Sequence, residues 1–144
     1  MKMIKTFFAG LVCTVLMAFT VSAQDLEKWS STYPSASKNL GYWVKERPDD
    51  AHYIFEWDGT HPDRSQALVT WALIHPGENI AKFKQEHPDW TELDALMTTH
   101  RAGTEGFLKW CRAYSDEARA LMMHSGALKW AGDHLYKTEL NLSK

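Results

Sequence analysis

Histidine is the residue type in this chain with the widest chemical scope, because it can transfer protons near neutral pH and bind metal ions. The chain has seven histidines. Four of them end a run of apolar residues at helical spacing: His75, His87, His100 and His134. We interpret these four positions first as structural, because a histidine in the last turn of a helix faces the negative end of the helix dipole.

Three of these four histidines also support a hypothesis of metal binding. If short connections make successive helices antiparallel, every second helix ends at the same end of the bundle. His75, His100 and His134 then lie at one end. Glu105, near the start of a later helix, lies at that end too, whereas His87 lies at the opposite end. Three imidazoles and a carboxylate are typical ligands of zinc and other transition metals.

Paired carboxylates suggest a second kind of chemistry. Glu56 and Asp58 flank Trp57 within an aromatic segment that ends in Gly59. Glycosidases use two carboxyl groups of this kind, one of them kept protonated by an apolar environment. The Asp58-Gly59 pair is equally typical of an ordinary turn, and this is the interpretation that we favour.

Tryptophan is the third candidate, with seven residues spread along the chain. Trp71 and Trp110 belong to regular apolar stripes, so we predict them in the core. We predict Trp43, Trp90 and Trp130 at the surface as binding residues. An exposed indole offers a broad apolar face and one N–H donor, which suits a protein surface or a glycan of the cell envelope.

The common catalytic signatures are missing from the sequence. It contains no HExxH, CxxC, GxSxG, Walker or GxGxxG motif. We therefore assign no catalytic residues, and the leading hypothesis is a noncatalytic module, without a cofactor, that binds a protein or an envelope glycan. The alternative is a transition-metal-binding protein or metal-dependent hydrolase that uses the three histidines and Glu105.

Helices must position these residues. Val and Ile are scarce after residue 24, whereas Leu, Ala, Met, Lys and Glu are plentiful, and this composition argues against strands. Apolar residues recur every three to four positions in short runs. The pattern predicts a compact all-α bundle of about six or seven short helices, near residues 35–46, 49–57, 62–75, 77–87, 89–101, 104–124 and 126–137.

A regular spacing of tryptophan and proline supports this division. The spacing W-x4-P occurs four times at intervals of fourteen residues, beginning at Trp29, Trp43, Trp57 and Trp71. A physical interpretation is that each Trp packs in the last turn of one helix and each Pro begins the next, since proline is favoured at the first helical position.

The beginning of the chain predicts export. Lys2 and Lys5 precede an uncharged apolar stretch, which ends in the small-residue pattern before Gln24 that signal peptidases cleave. We predict a signal peptide over residues 1–23 and one helical domain over 24–144, secreted or periplasmic. An uncleaved membrane anchor is the competing interpretation. After cleavage we expect no stable membrane anchor.

Charge and cysteine content restrict the partners and the chemistry further. Cleavage would leave 14 of the 16 basic residues and all 18 acidic residues, a formal charge of −4. Such a chain is poorly suited to nucleic acid. Of its two cysteines, Cys13 lies in the leader, so the mature chain cannot form an internal disulfide. Cys111 lies on an apolar helical face, and we predict a buried thiol.

Overall fold

The computed structural model describes the backbone of residues 25–142 and the side chains of residues 25–134. The described helices are residues 25–32 (α1), Pro34–Glu46 (α2), Pro48–Thr60 (α3), Pro62–Ile74 (α4), Ile80–Glu86 (α5), Glu92–Met97 (α6), Arg101–Ala113 (α7), Ser115–Met122 (α8) and Ala127–Leu142 (α9). No strand occurs between residues 25 and 142, which confirms the predicted all-α class. The predicted signal peptide lies outside the described residues.

The W-x4-P spacing corresponds to a repeated junction between helices. The carbonyl of Trp43 accepts a hydrogen bond of 2.9 Å from the backbone N–H of Arg47, which ends α2. Arg47 has φ −129° and ψ 60°, and Pro48 then begins α3. Proline disfavours the helical conformation in the residue before it, so this unit ends one helix and starts another. The same geometry joins α1 to α2 and α3 to α4.

The fourth unit departs from this pattern after its tryptophan. The carbonyl of Trp71 still accepts from the N–H of His75, at 2.9 Å. Pro76, however, opens a turn instead of a helix. The next helix begins only at Ile80, where the side chain of Asn79 caps it by accepting from the N–H of Ala81 at 3.0 Å. The predicted helix 77–87 therefore begins three residues late and is seven residues long.

The predicted helix 104–124 is interrupted at Tyr114. This residue ends α7 and precedes α8 with φ −123° and ψ 58°, close to the values at the tryptophan–proline junctions. Its N–H donates to the carbonyl of Trp110 at 2.9 Å, as in those junctions. No proline follows Tyr114, so the pattern that marks the other junctions was missing here. This break and α1 are the main reasons that the described residues form nine helices and not six or seven.

The core lies where α3 meets α4, α7 and α9, and where α2 meets α7 and α9. Two glycines allow the closest approaches. A Cβ on Gly132 of α9 would overlap the ring of Phe55, and one on Gly103 of α7 would overlap the side chain of Asp50. Cys111 is fully buried, as predicted. None of the helices within the described residues combines the length and apolar character that crossing a membrane requires.

Candidate functional site

The histidines of the metal hypothesis have separate partners. Nδ1 of His100 lies 2.7 Å from Oδ1 of Asp50, and the imidazole stacks on the ring of Tyr53 with centroids 4.4 Å apart. The ring of His134 stacks on that of Trp130 at 4.6 Å. His134 also lies inside α9 and not at its end, because that helix continues to Leu142.

His75 and Glu105 are engaged elsewhere. His75 ends α4, with its Nδ1 3.7 Å from Oε2 of Glu78. Oε1 of Glu105 lies 3.4 Å from the backbone N–H of Ile80. Among the described side chains, no three His, Cys, Asp or Glu residues form a group that could hold a metal ion. The zinc hypothesis thus gains no support from these contacts and stays a prediction.

The predicted alternation of helix ends is wrong for His75 and His87. It placed them at opposite ends of the bundle, whereas both line one pocket. The reason is the shortness of α5, which follows a turn and spans only seven residues. Phe83, in this helix, contacts Trp71 at 5.2 Å and His87 at 4.4 Å between ring centroids, and so joins the two histidine positions through aromatic contacts.

Trp43 was predicted at the surface, and this prediction is wrong. The residue is 7% exposed, and its rings pack against those of Phe55 and Phe107 at 5.7 and 5.3 Å. Its Nε1–H donates to the carbonyl of Gly103 at 2.8 Å. The physical reason is its place in the repeat, because the tryptophan of every W-x4-P unit is turned into the core at a helix end. Trp71 and Trp110 are buried, as predicted.

The other two predicted surface tryptophans are half-buried. Trp90 has the imidazole of His87 stacked on it at 4.1 Å, and the guanidinium of Arg64 lies 4.7 Å from its ring centroid. The imidazole of His134 likewise stacks on the ring of Trp130, with centroids 4.6 Å apart. At least one face of each indole is therefore covered by a neighbouring side chain.

Trp71 differs from the other buried tryptophans in its hydrogen bonding. The other four each donate from Nε1 to another part of the chain: Trp29 to the carbonyl of Glu117 (2.8 Å), Trp43 to that of Gly103 (2.8 Å), Trp57 to Oε1 of Glu92 (3.1 Å) and Trp110 to the carbonyl of Ala36 (2.9 Å). Nε1 of Trp71 is buried and has no acceptor among the described residues. A buried donor without an acceptor is uncommon and costs free energy.

Trp71 is also part of the wall of a pocket of about 420 Å³. The pocket is formed by α4, α5 and the residues that end them: Asp63, Gln66, Ala67, Thr70, Trp71, Ile74, His75, Phe83 and His87. Ile74 is 64% exposed, which is unusual for a large aliphatic side chain. The sequence pattern did not predict this site, because the apolar stripe that contains Trp71 indicates only a core position. The sequence signal was an isoleucine three residues after Trp71, in the last turn before Pro76.

Arg112 holds the end of α4 in place. Its guanidinium donates to three backbone carbonyls, those of Ala72 (3.0 Å), His75 (2.9 Å) and Glu78 (2.7 Å). These carbonyls belong to the last turn of α4 and the turn that follows it. Hydrogen bonds from a charged donor are stronger than neutral ones, so Arg112 acts as a positioning residue for the pocket wall around His75.

A charged cluster lies next to the pocket. Nη1 of Arg64 lies 2.6 Å from Oε1 of Glu92, which also accepts from Trp57. Burial alone would raise the pKa of Glu92, but hydrogen bonds from Arg64 and Trp57 and the charge of Arg64 outweigh it and lower this pKa. Burial, and then the charge of Glu92, raise the pKa of Tyr53. The guanidinium of Arg64 is therefore already neutralised by a carboxylate.

The glycosidase hypothesis fails at Asp58. This side chain is 1% exposed and accepts hydrogen bonds from the hydroxyl of Ser65 and from the backbone N–H groups of Leu128 (3.0 Å) and Lys129. Burial raises its pKa, although these hydrogen bonds oppose the shift. Asp58 therefore joins the end of α3 to the start of α9 and faces no cleft, while Glu56 is exposed and lies 3.5 Å from Nζ of Lys129.

The pocket is the best candidate site because it combines apolar walls with polar groups at its edge. Its shape and composition suit the binding of another molecule. The chain matches no protein-family model, and no match to it was found among curated proteins or solved structures.

Proposed function

We propose that this protein is an exported, noncatalytic helical module that binds a protein or cell-envelope glycan through the pocket between α4 and α5. The observation that carries the proposal is the pocket of about 420 Å³ with Trp71 and Phe83 in its wall. Binding sites are concave and mainly apolar, with a few polar groups that orient the ligand.

The exposed isoleucine at the edge of the pocket supports the same proposal. Ile74 exposes 64% of its surface beside the buried aromatic residues. Burying apolar surface gains about 25 cal/mol per Å², so a partner that covers this side chain gains free energy. Trp90 adjoins the site through Phe83 and His87, with ring centroids 5.7 and 4.1 Å away. Of the predicted binding set, Trp90 is the residue whose ring contacts rings of the pocket wall, although neither it nor Trp130 lines the pocket, and Trp43 is buried.

The test is to fill the pocket without disturbing the core. Thr70 lines the pocket and is exposed, and its hydroxyl donates only to the carbonyl of Gln66 within its own helix. We expect Thr70→Arg to weaken binding roughly tenfold or more, because overfilling a packed contact costs about 1–3 kcal/mol. Thr99→Arg is the matched control, since Thr99 is also exposed and does not line the pocket.

The measurement uses the protein purified from cells that express the full chain. Wild type and both variants are assayed against a displayed library of random peptides and against a panel of envelope oligosaccharides. Circular dichroism first establishes that the variants are equally helical. Ligands that bind wild type and Thr99→Arg but not Thr70→Arg support the proposal. Ligands that bind all three proteins equally well, or no ligand from either collection, would contradict it.

A further inference from the structure

The pocket contains features that narrow the class of its ligand. We infer that it binds an extended peptide segment of a partner protein, with a basic side chain beside Asp63 and apolar side chains toward Trp71 and Ile74. This inference rests on the function proposed above. Three observations support it: the length of the pocket, the low exposure of its aromatic rings, and the one unpaired charge at its edge.

The pocket is elongated along α4. Its lining extends from Asp63 in the first turn of that helix to Ile74 at its last residue. Eleven residues at 1.5 Å per residue correspond to about 16 Å. An extended peptide rises about 3.3 Å per residue, so about five residues would cover this length.

The aromatic rings are too deeply buried to stack against a sugar. Trp71 is 7% exposed and Phe83 is 1% exposed. The ring of Trp90 is contacted by His87 and by the guanidinium of Arg64. A sugar ring needs a flat aromatic face open to solvent, whereas a peptide needs only room for side chains and acceptors or donors for its backbone. These contacts therefore favour a peptide over a glycan.

The charge at the edge of the pocket is negative. Asp63 is exposed and has no ion pair or hydrogen bond within the part of the chain that the structure describes. Its neighbour Arg64 is paired with Glu92 at 2.6 Å. His75, which lines the other end of the pocket, has its Nδ1 3.7 Å from the carboxylate of Glu78, a residue outside the lining. A basic side chain of the ligand would find an unoccupied partner at Asp63.

The described residues thus offer a peptide two kinds of complement. The carboxylate of Asp63 suits a basic side chain, and the apolar wall at Trp71 and Ile74 suits aliphatic side chains.

The experiment selects sequences from a phage-displayed library of random heptapeptides on the wild-type protein, after depletion on Thr70→Arg. We expect the selected sequences to combine Lys or Arg with aliphatic or aromatic residues. The leading sequence is then synthesised, and its affinity is measured for wild type, Asp63→Asn, Asp63→Lys and Asp49→Asn. Asp49 is the matched control, because it too follows the proline of a W-x4-P unit and is exposed in the first turn of its helix, outside the pocket.

We expect Asp63→Asn to weaken binding about threefold, as for a solvent-exposed ion pair, and Asp63→Lys to weaken it roughly tenfold or more. Asp49→Asn should leave the affinity unchanged, and added salt should weaken binding to wild type more than to Asp63→Asn.

Selected peptides without basic residues, or peptides whose affinity does not change when Asp63 is substituted, would overturn the inference but not the proposed binding function of the pocket. If an envelope oligosaccharide binds through the pocket and no peptide does, the inference of a peptide ligand is wrong, but the proposed binding function stands. If no ligand of either kind depends on the pocket, both proposals fall.

Discussion

At the scale of single residues, the tryptophans of this chain combine two roles that an indole allows. The broad ring fills the core at a helix end, and the N–H ties that end to a distant part of the chain. Trp110, for example, donates to the carbonyl of Ala36 in α2, at 2.9 Å. Trp71 fills the first role but lacks the second, and it is also the tryptophan that lines the pocket.

A pair of matched substitutions measures this difference. Trp43→Phe and Trp71→Phe remove the same atoms, but only the first removes a hydrogen bond, the one of 2.8 Å to the carbonyl of Gly103. We expect Trp43→Phe to lower the free energy of unfolding by about 0.5–1.5 kcal/mol more than Trp71→Phe does, because it alone loses a hydrogen bond. Urea denaturation of the three proteins provides the measurement. Equal losses in the two variants would mean that the N–H of Trp71 has a partner in solution.

At the scale of helices, some features depend on neighbouring residues and others on contacts between distant parts of the chain. The tryptophan–proline junctions are local, since proline disfavours the helical conformation in the residue before it. The approach of α9 to α3 is not local, and it depends on the missing side chain of Gly132 beside the ring of Phe55. A Cβ there would force either the ring or the helix to move.

We expect Gly132→Ala to lower the free energy of unfolding by about 1–3 kcal/mol through overpacking. Gly77→Ala is the control, because a Cβ at Gly77 meets nothing within 4 Å. That change should be neutral or stabilising by up to about 1 kcal/mol, since alanine reduces the freedom of the unfolded chain. Thermal denaturation followed by circular dichroism compares the two variants with wild type. A Gly132→Ala protein as stable as the control would show that α9 packs less closely on α3 than described.

At the scale of the whole molecule, the described residues form an all-α protein whose only described cysteine is buried. Burial raises the pKa of the Cys111 thiol far above its usual value, and the neighbouring Arg112 offsets this only in part. The reactive form of cysteine is the thiolate, so the folded protein should be inert toward thiol reagents.

Export and thiol protection can be tested on one sample. We expect protein recovered from the exported fraction of cells that express the full chain to have the mass of residues 24–144. Its single thiol should react with a chromogenic disulfide reagent only when the protein unfolds, because Cys111 is inaccessible. Mass spectrometry and the reaction with and without denaturant are the measurements. A mass that includes the leader would contradict cleavage, and a fast reaction in the folded state would contradict burial of Cys111.

What the sequence determined by itself is the part of the structure that depends on neighbouring residues. The scarcity of β-branched residues, the helical spacing of apolar side chains and the prolines were sufficient to predict an all-α protein. They were also sufficient to predict the junctions after Trp29, Trp43 and Trp57, because the restriction that proline imposes acts on the residue just before it. The burial of Cys111, Trp71 and Trp110 followed from their positions on apolar stripes.

The way in which the helices lie against one another depends on contacts between residues far apart in the chain. The junction at Tyr114 lacks a proline, and the shortness of α5 brings His75 and His87 to one pocket instead of opposite ends. Burial of Trp43 and Asp58 likewise depends on partners 60 and 70 residues away, Gly103 and Leu128. The pocket also depends on tertiary structure. A pocket forms where neighbouring helices do not pack against each other, and the spacing of residues within one helix does not predict such a gap.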